Sequence, residues 1–218
     1  MINKVHVLAE GYSKAIGNSN DMQANCSCTV VKTESGCNII VDTMTAWDGQ
    51  LIADGLQRIG LQPHDIHYVI CTHGHSDHIG CNYLFTSAKW HFVGSCMSHG
   101  DTYPEYDFAK PYTLENGNVV IMRTPGHTLT CVSVVVYNAD PQFGGTVGIC
   151  GDLFEREEDV FDQEIWLGAG SENPSLQREN RCKIADICSY IIPGHGKGFH
   201  VTDGMRAKLR SDMNEKLE

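Results

Sequence analysis

A chain of 218 residues, 41% hydrophobic and 20% charged, carries enough apolar material for a full core, which excludes a disordered chain. No apolar run approaches the roughly 20 residues of a membrane span. A formal net charge of −11 argues against broad, sequence-independent nucleic-acid affinity, because neutralising phosphates takes Lys and Arg.

One domain over residues 1–218 is expected, since no low-complexity tract, short repeat or linker divides the chain. The N-terminus lacks a charged segment followed by an apolar one, so no signal peptide is expected. Val5–Leu8, Cys28–Lys32 and Asn38–Val41 read as strands, with Ser13–Asn25 as a polar loop and Ser35-Gly36 as a turn. Thr45-Ala-Trp-Asp48 resembles a capping box, and the helix after it places Leu51, Ile52, Leu56 and Ile59 on one face before Gly60 ends it. Tyr68–Thr72 is a buried strand, Asp77–Phe85 a short helix, and Lys89–Val93 and Val119–Arg123 further strands. Val132–Tyr137 and Thr146–Cys150 form a hairpin across the turn-rich Asn138–Gly145. Asn173-Pro174 opens a helix to about Cys188, Ile191-Ile192 is the last core strand, and Asp203–Leu217 is a charged terminal helix. Two groups of strands with interspersed helices predict two sheets packed face to face and covered outside by helices.

Ten cysteines occur without a Cys-x-x-Cys pair, several inside apolar runs. They read as small buried hydrophobes in a reducing compartment, cytosol or nucleus, with Cys26-x-Cys28 as a soft-metal or redox pair the alternative.

The chemistry concentrates in Thr72-His73-Gly74-His75-Ser76-Asp77-His78-Ile79-Gly80, where three imidazoles and a carboxylate follow an apolar strand within six residues. A strand end followed by a turn lets His73 and His75 converge while Asp77 and His78 address a neighbouring point. Thr124-Pro-Gly-His127, Gly151-Asp152 and Pro193-Gly-His195 each add one ligand-type residue at the end of an apolar strand. A Pro-Gly-His turn alone is commonplace; the recurrence gives these segments their weight. Five histidines and two aspartates are too many for one tetrahedral catalytic zinc, which takes three protein ligands and a water. They divide as His73, His75, His127 and Asp77, His78, His195, with Asp152 between, and suit two divalent ions: zinc first, iron or manganese as alternatives. Two such ions about 3.5–4 Å apart repel by roughly 18 kcal/mol at an effective dielectric near 20, so bridging anions are required. Asp152 and a shared hydroxide, the nucleophile, fill that role, and Asp77 and His78 carry the catalytic assignment.

The His-x-His-x-Asp-His stretch with the later His127, Asp152 and His195 resembles the metallo-β-lactamase superfamily, in the oxygen- and nitrogen-ligand branch that includes glyoxalase II and tRNA 3′-processing nucleases. Cys71–Gly80, Val132–Val136, Gly151–Arg156, Ser171–Pro174 and Ile191–Gly196 carry a narrower likeness within it, to an endoribonuclease acting on histone pre-messenger RNA ends. The resemblance implies an αββα sandwich, two zinc or iron ions, a nuclear and cytosolic location, an RNA substrate and a homodimer. Asp42 matches the superfamily aspartate that supports the ligand loop by hydrogen bonds; a turn or cap role is the plain alternative. Trp166 either walls the cleft or packs in the core, Lys197 meets a substrate anion or is solvated, and Glu155–Asp159 reads as a solvated acidic loop. The competing activity is thioester or other small-molecule hydrolysis, as in glyoxalase II, with an anionic small-molecule substrate in place of RNA. With 23 residues after His195, that family's glutathione-holding helical domain is not expected. A non-catalytic binding domain is disfavoured because all seven positions hold competent ligands. So is β-lactam hydrolysis, because the second group lacks a cysteine. Oxygenation at a single iron is a further alternative.

Overall fold

Unbroken apolar runs, not alternating ones, mark the central strands, and the packing gives the reason: both faces of each sheet are covered. The structure, a computed structural model, describes residues 2–17 and 21–213. The chain begins with β1 (Lys4–Ala9), a hairpin of β2 (Tyr12–Ala15) and β3 (Met22–Asn25), β4 (Cys28–Lys32), β5 (Asn38–Val41) and α1 (Gly49–Arg58). Next come β6 (Tyr68–Cys71), α2 (Ser76–Ile79), β7 (Trp90–Val93), β8 (Cys96–Ser98), β9 (Tyr112–Leu114) and β10 (Val119–Arg123). The last third holds β11 (Val132–Tyr137), β12 (Thr146–Gly151), α3 (Gln163–Gly168), α4 (Pro174–Ile187), β13 (Tyr190–Pro193), β14 (Phe199–His200) and α5 (Asp203–Asp212). One six-stranded sheet has the order β1-β4-β5-β6-β7-β8 and the other β14-β13-β12-β11-β10-β9.

The period of two along each strand sorts side chains between layers. Val31, Ile39, Val41 and Ile70 of the first sheet meet Ile121, Val134, Val136, Ile149 and Ile192 of the second in the central core. Their neighbours Val30, Ile40 and Val69 point outward and are covered by Ile52 and Leu56 of α1. On the far side, Val135, Cys150 and Ile191 lie under Ile184 of α4 and Met205 and Leu209 of α5. The result is the αββα sandwich. Seven of the ten cysteines are buried and all are free thiols, in keeping with small hydrophobes. No helix among the described residues is long and apolar enough to cross a membrane.

Several elements differ from expectation. The polar stretch Ser13–Asn25 forms the β2–β3 hairpin, paired Tyr12↔Asn25 to Ala15↔Met22 and largely exposed. Its residues carry no buried alternation, so the hydrophobic pattern misses it. Asp48 does reach back to the Thr45 amide (3.0 Å) and hydroxyl, but this closes a turn; α1 starts after it at Gly49, and Asp48 makes no side-chain cap bond. Leu51 lies outside the buried face of α1, at 42% exposure. The expected helix Asp77–Phe85 is α2 followed by a separate 3-10 turn, Asn82–Phe85. Strands β8 and β9 are too short to show a period, and β14 follows the strand expected to be last. The terminal helix is seen to Asp212; the expected positions 214–217 lie outside the described residues.

Candidate metal centre

Every expected ligand sits just beyond the C-terminal end of a strand, at one edge of the sandwich. β6 delivers Thr72 to His78, β10 leads to His127, β12 to Asp152 and β13 to His195. Because β5 and β6 are parallel, as are β12 and β13, those ends fall side by side. The approach is close enough to require glycine: a Cβ on Gly194 would overlap Asp152 Oδ1, and Gly151 takes φ +52° against Thr72.

Ligand atoms of His73, His75, His127 and Asp152 all lie within 4.8 Å of one another, as do those of Asp77, His78 and His195. Asp152 faces both groups. Its Oδ2 stands 3.5 Å from His73 Nε2 and 3.3 Å from His127 Nε2 and His195 Nε2, while Oδ1 stands 3.2 Å from His78 Nε2. Asp77 Oδ2 is 3.8 Å from His195 Nε2 and 4.0 Å from His78 Nε2. All seven expected residues are thus brought together.

The outer ring nitrogens explain why the inner ones converge. His127 Nδ1 donates to the Gly170 carbonyl (2.8 Å) and His195 Nδ1 to the Asn25 carbonyl (3.1 Å). His78 Nδ1 donates to Asp42 Oδ2 (2.9 Å). A ring that donates through one nitrogen presents the other inward as a lone pair, the tautomer a metal needs. Asp42 also accepts from the Thr72 amide (2.6 Å) and hydroxyl (2.9 Å), tying the ligand loop to β5. Asp42 holds a left-handed φ of +57°, which costs about 1–3 kcal/mol and persists only where surrounding bonds fix it.

Two buried atoms, His78 Nε2 and Asp152 Oδ1, lack any hydrogen-bond partner. Leaving such groups unpaired costs free energy, and a cation between them would satisfy both. Together with the nitrogen and oxygen donor set, this makes the residues fit for divalent metal. Electrostatics divide the rings: the neutral form that offers a lone pair is favoured at His73 and His127, the protonated form at His78 and His195. Burial and the neighbouring rings hold His73 well below the usual imidazole range, and burial lowers His127. Burial also opposes charge on His78, but Asp152 and Asp42 outweigh it and raise that ring well above its ordinary value. His195 rises to about 9 against its own burial through its bond to Asp152. Asp152 stays well below the carboxylate range despite burial, through His78 and the bond from His195.

The centre opens into a cleft of about 380 Å³, with Met22 and Ala24 of the hairpin on one wall and Ala169 in the lining. No Lys or Arg lines it among the described residues; Arg156 reaches the rim, donating to Ser13 Oγ at 3.3 Å. Trp166 is buried in α3 beside Arg181, away from the lining, and so packs in the core. Lys197 is exposed, 3.9 Å from Glu10. The acidic run is the clearest correction. Glu155 and Asp159 are buried, not solvated, because the Arg181 guanidinium from α4 meets Asp159 at 2.6 Å, and Glu155 lines the cleft. Burial and the Asp152 charge push the Glu155 carboxyl up to about 8. Nothing in the run itself signals this, because the neutralising arginine lies 22 residues downstream of Asp159.

The metallo-β-lactamase superfamily model matches residues 22–195, the span that contains the whole site, and the chain belongs to that superfamily. Within it, the chain is similar to Metallo-beta-lactamase domain-containing protein 1 of Xenopus laevis, 39% identical over 200 residues that cover 90% of this chain and 81% of the frog protein. The human protein of that name is 34% identical over 165 residues, covering 75% of this chain and 59% of its own length, so the chain spans less than two thirds of it. A Thermotoga maritima structure assigned to the metallo-β-lactamases superposes with a TM-score of 0.65 at 17% identity, over 92% of this chain and all of that one, which shows the shared fold.

Proposed function

We propose that the chain is a hydrolase working with two divalent ions, zinc the first expectation. His73, His75 and His127 hold one, Asp77, His78 and His195 the other, and Asp152 lies between them. The observation that carries this is Asp152 itself, whose two oxygens face the two ligand groups at 3.2–3.5 Å. Bound ions would supply Lewis acidity and bring a water's pKa to about 7. The protein's own part is orientation: Asp42 holds the His78 ring and the Thr72 amide, and the Asn25 and Gly170 carbonyls fix His195 and His127.

For substrate we propose an RNA phosphodiester, with the cytosolic or nuclear setting and homodimer that the same resemblance implies. Support comes from the segments Cys71–Gly80, Gly151–Arg156 and Ile191–Gly196 and from similarity to the frog and human proteins across most of the fold. A second reading, hydrolysis of a thioester or other small molecule, has one observation in its favour. The cleft lining carries Asp77, Asp152 and Glu155 and no Lys or Arg among the described residues, beside apolar Met22 and Ala24. Incubating the metal-loaded protein with a short histone pre-messenger RNA and, separately, with S-lactoylglutathione decides between them. RNA cleavage lost on metal removal is the expected result; thioester turnover without RNA cleavage overturns it.

A further inference from the structure

The seven metal-ligand positions do not use up the chemistry of the cleft. Glu155, three residues beyond Asp152, is only 3% exposed, yet its carboxyl has no hydrogen-bond or ion-pair partner among the described residues. One carboxylate oxygen lies with ligand atoms of Asp152 and His195, all within 4.8 Å of one another. Its backbone is fixed on both sides. The Glu155 carbonyl accepts from the His195 amide at 2.9 Å, and the Glu155 amide donates to Asp159 Oδ2 at 2.6 Å, with Asp159 clamped by Arg181. A stray surface carboxylate is not held in this way.

We propose that Glu155 is an eighth metal-ligating side chain, serving the ion of Asp77, His78 and His195; the inference rests on the two-ion reading above. A second observation comes from outside the carboxylates: His78 Nε2 is buried without a hydrogen-bond partner, 3.2 Å from the equally unpartnered Asp152 Oδ1. Three carboxylates meet in a cleft whose described lining has no Lys or Arg, so once metal displaces the protons of the neighbouring imidazoles a divalent cation takes over their compensating charge. The consequence is an asymmetric pair of sites. His73, His75 and His127 offer mostly nitrogen, whereas Asp77, Asp152 and Glu155 make the second site oxygen-rich. Imidazole sets suit zinc and its neighbours, while carboxylate-rich sets suit harder ions such as manganese. The second site therefore accepts Mn²⁺ while the first retains Zn²⁺.

The test is metal binding, not turnover. Metal-free protein is loaded with one equivalent of Zn²⁺ and then titrated with Mn²⁺, followed by calorimetry, elemental analysis and the Mn²⁺ electron paramagnetic resonance signal. Wild type should take up one ion of each. Glu155→Gln should keep the Zn²⁺ affinity and weaken Mn²⁺ by about tenfold or more; Glu155→Met, of similar volume without an oxygen, serves if the Gln variant fails to fold. Unchanged Mn²⁺ affinity in a folded variant overturns the role of Glu155 alone. Fewer than two ions bound by wild type overturns the two-ion reading, and this inference with it.

Discussion

The floor of the cleft and its lip are built on opposite terms. On the floor, His73, His78, His127, Asp152 and His195 are buried, and the outer nitrogens of His78, His127 and His195 are bonded to fixed groups of the frame. At the lip, Met22 is 59% exposed, and the other apolar side chains of the hairpin region, Tyr12 and Ile16, are also exposed. The floor is preorganised for one arrangement of donors, while the lip presents exposed apolar surface. Under the proposed function, chemistry belongs to the first and selection to the second. Substitutions should therefore separate: floor variants should lose metal and rate, and lip variants should shift KM.

The largest effect should follow Asp152→Ala, which removes the group facing both ligand sets. Loss of several kcal/mol of charge stabilisation predicts a fall of roughly 10³-fold or more in kcat, with reduced metal content by elemental analysis. Retention of both ions and of activity would break the comparison at its centre. Arg181→Ala comes next and acts on stability. It strands the fully buried Asp159 carboxylate that positions Glu155, and urea unfolding should show a loss of about 3–5 kcal/mol. Asp42→Ala leaves all seven ligands in place but frees the His78 ring and the Thr72 amide. About 10–100-fold weaker metal binding is expected, with the fold retained by circular dichroism. The smallest change belongs to the lip: Met22→Ser should alter KM for substrates with an apolar arm by a few-fold, with kcat held, on the order of the ~1 kcal/mol that a methylene contact provides. A large loss of kcat there would mean that lip and floor are not separable.

The floor was legible in the sequence because ligand-type residues are dense in His73–His78 and because His127, Asp152 and His195 each follow an apolar strand. The four-layer fold was legible because doubly covered strands such as Asn38–Val41 and Val132–Tyr137 are apolar throughout. What stayed hidden depends on partners distant in the chain. Glu155 and Asp159 resemble a solvated acidic run until Arg181 is seen between α4 and the loop. The β2–β3 hairpin buries little on either face, so a polar loop and a polar hairpin look alike. The Thr45–Asp48 pair has the composition of a capping box but closes a turn before α1, a distinction that backbone geometry makes and residue type does not.

Diffraction from metal-soaked crystals at the zinc absorption edge tests most directly whether the two ligand groups form one dinuclear centre. Two anomalous peaks, one beside His73, His75 and His127 and one beside Asp77, His78 and His195, with Asp152 reaching both, is the predicted result. A single peak, or peaks away from these side chains, would contradict it.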